Sequence, residues 1–219
     1  MDFGFTEEQE LLRATARKFL ENECPSPTVR KLMDTPEGTT PEFWAKLAEQ
    51  GWLGLIFPEA YGGVGLGVVD LVVLMEEMGR VVMPGPYLST VLLGGLALLE
   101  AGSEAQKKQW LPKIAAGETR TTLALTEPNA RWDAQGVTAT AAATGGAFTL
   151  AGTKLFVPDA HVADLLVVAA RTGPGAGAAG SEDGVSLFLV PRQAPGLEVT
   201  LLPTMDQTRK LCEVKLAGV

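Results

Sequence analysis

Hydrophobic positions change their period once along the chain. From Thr6 to about Gly117 apolar residues recur every three or four positions, the spacing of an amphipathic helix; beyond it they alternate or gather in short runs. Thr6 and Gln9 form a capping box ahead of a first helix striped by Leu12, Ala16, Phe19 and Leu20. Thr40-Pro41 starts a second, with Phe43, Trp44 and Leu47 inward and Gly51 as its stop. Val69, Val72, Val73 and Leu74 open a third that ends near Gly79. Tyr87 to Ala101, apolar nearly all round, predicts a central fourth, and Ser103 with Gln106 caps a fifth through Trp110, Leu111 and Ile114. The β-like runs are Thr121–Thr126, Val137–Ala143, Phe148–Leu150, Thr153–Val157, Leu165–Val168, Val185–Val190 and Leu197–Leu201. Gly145-Gly146 and Ala151-Gly152 are predicted as hairpin turns, and Thr172 to Gly184 as a surface loop. Helices followed by strands predict an α+β chain: an α-helical domain over residues 1–118, then a β-sandwich or barrel-like domain over 119–219.

Composition adds limits. A chain of 219 residues with 46% hydrophobic and 20% charged residues is globular. The 25 glycines and 14 prolines demand turns that a pure helical bundle would not need. A net charge of -8 argues against nucleic acid or an anionic membrane as the main partner. No charge falls between Val81 and Leu99, but Pro84, Gly85 and Pro86 break that run, so a buried helix is expected and not a membrane span. Cys24 and Cys212 lie far apart, form no CxxC, and predict reduced thiols in a cytoplasmic chain. Met1 to Phe5 lack the pattern of a signal peptide. The single histidine, His161, excludes a His-rich metal site and is expected on the surface of a hairpin loop, leaving no base for a Ser-His or Cys-His mechanism.

The common catalytic signatures GxSxG, HExxH and the P-loop are absent. Gly62-Gly63-Val64-Gly65-Leu66-Gly67 is rich in glycine but has no strand before it, so it predicts a tight inter-helix connection and not a dinucleotide site.

Specificity comes from an ordered set of short motifs. These are Phe5-Thr6-Glu7-Glu8-Gln9, Phe57-Pro58-Glu59-Ala60-Tyr61-Gly62-Gly63, Glu76-Glu77-Met78-Gly79-Arg80, Gly102-Ser103-Glu104-Ala105-Gln106-Lys107, Leu123-Ala124-Leu125-Thr126-Glu127-Pro128 and Gly152-Thr153-Lys154-Leu155-Phe156-Val157. In this order, across essentially the whole chain, they resemble the acyl-CoA dehydrogenase family. The resemblance implies a helical N-terminal domain and a β middle domain. With a C-terminal helical bundle, these would bind FAD and an acyl-CoA thioester. The implied chemistry removes the α proton with a carboxylate and passes the β hydrogen to the flavin as hydride. In the family that carboxylate belongs to the bundle, which is expected to lie outside this chain, so no catalytic residue and no metal ligand are assigned here. By position, Leu123, Leu125 and Thr126 would meet the flavin, Phe156 and Val157 would cover another part of it, and Trp132 and Pro158 would stand at its margin. An electron-transfer flavoprotein or similar acceptor, and a homo- or hetero-oligomer of related subunits, are the implied partners.

Two departures from the family pattern bear on FAD. Arg131-Trp132-Asp133 stands where Gly-Ser-Asp is usual, replacing a small turn and a hydroxyl by a cation and an indole. Pro158 takes a position usually held by Thr or Ser, losing a hydroxyl and a backbone donor, and Asp159 follows where Asn is common. Three readings follow: half of a flavin-dependent dehydrogenase, a flavin-deficient partner subunit of a heteromeric one, or a binding module without redox chemistry.

Overall fold

The computed structural model describes residues 4–172 and 183–219. Its first half is helical. The helix α1 (Glu7–Glu23) opens with the predicted capping box of Thr6 and Gln9, and α3 (Pro41–Glu49), after the short α2 (Ser26–Met33), with the Thr40 cap. Then come α4 (Val68–Arg80), a π-wound stretch Leu88–Gly95 that runs directly into α5 (Leu96–Ala101), and α6 (Glu104–Ala115) behind the Ser103 box. Leu20, Leu47, Leu53, Phe57, Leu74, Val91, Leu111 and Ile114 close into one core. A buried carboxylate ties α1 to α4: Glu77 accepts two hydrogen bonds from Arg17, at 2.7 and 3.0 Å, and one from Arg80 at 2.9 Å. Those bonds, Arg17 first, hold its carboxyl below the usual range.

The second half is a mixed sheet that curls into a half-barrel. Its strands are β1 (Thr121–Ala124), β2 (Thr140–Thr144), β3 (Ala147–Pro158), β4 (Leu165–Thr172), β5 (Val185–Pro191), β6 (Leu197–Leu201) and β7 (Leu211–Ala217). The order is β1-β4-β2-β3-β7-β6, with β5 also paired to β4. Central β4 is buried on both faces and reads Leu-Leu-Val-Val-Ala-Ala, as a covered strand should.

The structure departs from the sequence expectations in several places. Ala151-Gly152 is no turn: β3 runs unbroken from Ala147 to Pro158. Gly152 is needed because a Cβ there would stand 2.7 Å from that of Ala139. Helix α2 was hidden by Pro25 and Pro27, which sit at its start, where proline is tolerated; Val29 and Leu32 anchor it. Strand β7 is additional to the expected strands; its alternation places Cys212, Val214 and Leu216 inward. The strand expected from Val137 begins at Thr140, and Glu59–Tyr61 holds a single 3-10 turn. Of the loop expected over Thr172–Gly184, residues 173–182 lie outside the described residues. No helix among the described residues is long and apolar enough to cross a membrane; Tyr87, Val91 and Leu98 lie in the core.

Candidate functional site

Two segments far apart in sequence, 123–126 and 155–158, are laid side by side by a fault in the sheet. Strand β3 pairs with β7 in regular register up to Lys154, opposite Val214, and resumes at Val157, opposite Cys212, so β3 carries one extra residue. At this bulge Leu155 donates its N–H not to β7 but to the Thr126 carbonyl, at 2.8 Å. Phe156 takes φ +55°. For an aromatic residue this left-handed conformation is strained, and strain of this kind collects at functional sites. Its effect is to aim the ring outward: Phe156 is 52% exposed. A second tie joins the same segments, the Thr122 hydroxyl donating to the Pro158 carbonyl at 2.6 Å.

The resulting face has an apolar body and a polar edge. Leu123, Leu125 and Thr126 are half-buried, and Phe156 stands out beside them. Pro158 is half-buried, while Val157 is closed inside the β core at 1% exposure, so its side chain cannot meet a ligand. Trp132 is 84% exposed and projects to solvent from the turn that follows. That turn holds itself together. The Asn129 amide donates to the Gly136 carbonyl at 2.6 Å, and Arg131 donates to Asp133 at 2.6 Å and to Gln135 at 2.9 Å. The Arg131 cation is therefore directed along its own turn.

Behind the face lies a pair that motif reading overlooked. Glu127, 2% exposed, accepts hydrogen bonds from Lys154 Nζ at 2.7 Å, from the Thr138 and Ala139 N–H groups at 2.9 Å each, and from the Thr138 hydroxyl. Burial pushes its carboxyl up, but Lys154, Thr138 and Ala139 together pull it below the usual range. Lys154, itself fully buried, also donates to the Leu125 carbonyl at 3.3 Å. The pair thus fixes the backbone of Leu125, one residue from Thr126. Glu127 is ionised, engaged and turned inward; it offers no free base to the face.

His161 is not a surface residue. It is half-buried with Nδ1 3.6 Å from Cys212 Sγ, so the structure does assemble a Cys-His pair. Its electrostatics oppose nucleophilic use: burial pushes the Cys212 thiol up to about 11 and pulls the imidazole down, leaving both neutral. Cys24, also buried and free, is pushed up to about 12 by burial and the nearby Glu23 charge.

The sequence profile of the acyl-CoA dehydrogenase N-terminal domain matches residues 6–118, and that of the middle domain residues 122–219. The chain belongs to the acyl-CoA dehydrogenase family. It is 34% identical to the mitochondrial isovaleryl-CoA dehydrogenase of Pongo abelii over 200 residues, 90% of this chain and 47% of that one. The solved acyl-CoA dehydrogenase of Geobacillus kaustophilus superposes with a TM-score of 0.84 at 32% identity, covering all of this chain and 58% of that one. The ChsE4-ChsE5 complex of Mycobacterium tuberculosis gives 0.85 at 29%, again over the whole of this chain and 56% of the other. The chain spans about half the length of the relatives it matches.

Proposed function

We propose that this chain supplies one wall of a flavin site used for α,β-dehydrogenation of an acyl-CoA thioester. The observation that carries the reading is the β3 bulge, which holds Phe156 outward in a strained conformation directly beside Thr126. The donor set fits a flavin ring: a half-exposed aromatic and the half-buried leucines 123 and 125 offer apolar cover, and the Thr126 hydroxyl offers a polar contact at one edge. When bound, FAD supplies the hydride acceptor that no side chain can replace. The protein's part is to position and to exclude water. Phe156 and Leu125 screen one side, Thr126 orients the polar edge, and the Glu127–Lys154 pair keeps the Leu125–Thr126 backbone in place. The base that takes the α proton is assigned to none of the carboxylates near the face, because Glu127 is ion-paired and Asp159 buried. An electron-transfer flavoprotein or a similar acceptor would reoxidise the flavin.

A second reading is favoured by Pro158, which removes a backbone donor at this edge, and by the likeness to subunits of a two-component complex. In it the chain is the flavin-poor partner in a heteromeric dehydrogenase, with FAD held mainly by the other subunit. Titration of the purified protein with FAD, followed by quenching of flavin fluorescence, separates the two. Saturable binding weakened by Phe156→Ala supports the flavin wall. No binding alone, but one FAD per pair of unlike chains after co-expression with a related dehydrogenase subunit, supports the partner reading and overturns the first.

A further inference from the structure

The C-terminal end of α4 departs twice from the rules of helix construction, both times on the wall of one cleft. Gly79 is a helical residue of α4, where glycine weakens the helix relative to alanine, yet a Cβ there would meet nothing within 4 Å. No neighbour demands a glycine; the space beside it is left open. The helix then closes in a Schellman motif: Met83 donates its N–H to the Met78 carbonyl at 2.9 Å, and Val82 to that of Gly79 at 3.0 Å. Such a motif favours glycine at its left-handed position, but the chain puts Val82 there, at φ +53°. A β-branched residue in that region is strained, and strain held against local preference collects at functional sites. The residue with room to be larger is glycine, and the one that should be glycine is valine.

Gly79 and Val82 line one cleft of about 230 Å³ with Met75, Met78, Met83, Tyr87 and Leu88. Three of the chain's six methionines meet there, side chains that adapt to irregular apolar shapes. Leu88 also opens the π-wound stretch, a helix form that recurs at functional sites. The polar members of the lining ask nothing of a ligand. Tyr87 donates to the Trp52 carbonyl at 3.0 Å, Thr208 donates to Asp206 at 2.6 Å, and Arg209 is exposed. The occupant that suits this lining is an aliphatic chain. A neighbouring cleft of about 490 Å³, between α1, α2 and the end of α4, shares only Val82 and Thr208 with the first, so Val82 belongs to the wall between them. The first cleft also lies beside the Phe156 face. Asp159, which follows Pro158, is held by the neighbours of two cleft residues: Ser89, after Leu88, donates to its carboxylate at 2.6 Å, and its N–H donates to the carbonyl of Lys210, after Arg209, at 2.9 Å.

We propose that this cleft receives the far, aliphatic end of a long acyl chain whose thioester end lies at the Phe156 face, with Gly79 keeping the cleft open and Val82 closing it toward its neighbour. The inference rests on the acyl-CoA reading above and deepens it: the substrate class is long-chain acyl thioesters, and Gly79 and Val82 are the residues that select it. A short acyl group that ends at the face gains nothing from the cleft, whereas each further methylene buried there adds affinity.

Calorimetric titration of the intact chain with two unreactive thioethers, dodecyl-CoA and butyl-CoA, tests it, with dodecanoate as the free-chain control. Wild type should bind dodecyl-CoA at least about tenfold more tightly than butyl-CoA, which burial of two further methylenes already supplies. Gly79→Leu fills the cleft from a helix that favours leucine. It should leave thermal unfolding undiminished and butyl-CoA binding unchanged while erasing the preference for the longer chain. Gly79→Ala should reduce that preference in part, and it decides the matter should the leucine variant fail to fold. Val82→Gly relieves the strain, so it should unfold no earlier than wild type yet bind dodecyl-CoA more weakly, a combination that a purely structural valine would not produce. Equal affinities in wild type, no binding of either thioether, or a preference untouched by the Gly79 variants overturns the proposal. Dodecanoate binding as tightly as dodecyl-CoA overturns it too, by assigning the cleft to free fatty chains. None of these titrations contains FAD. A chain that shows the preference but binds no flavin loses only the flavin wall, and one that binds flavin without the preference loses only the cleft.

Discussion

At the scale of single residues, the Glu127–Lys154 pair shows what a motif can conceal. Thr126-Glu127-Pro128 was visible in the sequence as a family signature, and Lys154 as one member of a strand. Nothing local indicated that the two meet, since 27 residues separate them and only the fold brings them within 2.7 Å. Their full burial sets the stakes. A satisfied buried pair adds little net stability, whereas removing one partner strands a charge in a medium of low dielectric. Lys154→Met should therefore cost about 3–5 kcal/mol, measured by urea unfolding. Adding Glu127→Gln should recover most of that loss, giving a large coupling in the double-mutant cycle. The pH dependence of the pair has a definite sign. The Glu127 carboxyl is held low, so its contribution is present above about pH 4.5, its unfolded value, and is lost as pH falls through the folded value. The difference between wild type and the double variant should shrink in that acid range. His161 teaches a related lesson: one histidine in a sequence gives no hint of the thiol it lies against until β7 is placed beside its turn.

At the scale of elements, helices were legible because capping chemistry is local. The boxes at Thr6 and Ser103 and the cap at Thr40 form as their spacing implies. Strands were less legible, because a glycine can mean a turn or a close approach, and only the crossing at Ala139 shows which applies at Gly152. The β3 bulge was not legible at all. Neither Phe156 nor its neighbours carry a turn residue, and the positive φ arises from a register mismatch with β7, a relation between two strands. This makes Phe156→Gly an informative substitution. Glycine relieves a left-handed strain of about 1–2 kcal/mol, while loss of a half-exposed ring forfeits roughly 1 kcal/mol of burial. Stability should change by less than about 1 kcal/mol in chemical denaturation. If the ring covers a flavin, FAD affinity should nonetheless fall about tenfold, the equivalent of a lost ring contact of ~1.4 kcal/mol. A large loss of stability with unchanged FAD affinity would mean that the bulge serves the sheet alone.

At the scale of the whole molecule, the single change of hydrophobic period marks helices giving way to strands, with α6 ending at Ala115 and β1 beginning at Thr121. What the pattern could not indicate is how tightly the two parts are joined. The Leu88–Gly95 helix lies directly against β1: Thr121 donates its N–H to the Thr90 hydroxyl at 3.3 Å, and a Cβ on Gly94 would stand 2.5 Å from Thr121 Oγ1 and 2.9 Å from the Thr122 nitrogen. Ser89 of the same helix also donates its hydroxyl to Asp159, at 2.6 Å, just beyond the end of β3, so the β part should not unfold while the helical part stays intact. Calorimetry of the wild-type chain should accordingly show one transition whose calorimetric and van't Hoff enthalpies agree. Gly94→Ala forces helix and strand apart. The overpacking should cost about 1–3 kcal/mol, lowering Tm by roughly 3–10 °C, and should broaden or split the transition as the junction loosens. The clash itself can be relieved. Thr121 Oγ1 is buried without a hydrogen-bond partner among the described residues, so Thr121→Ala sacrifices no bond and removes the two nearest side-chain atoms. In the Gly94→Ala background it should return a substantial part of the lost Tm and of the single transition. If it returns neither, the close approach of helix to strand is not what couples the two halves.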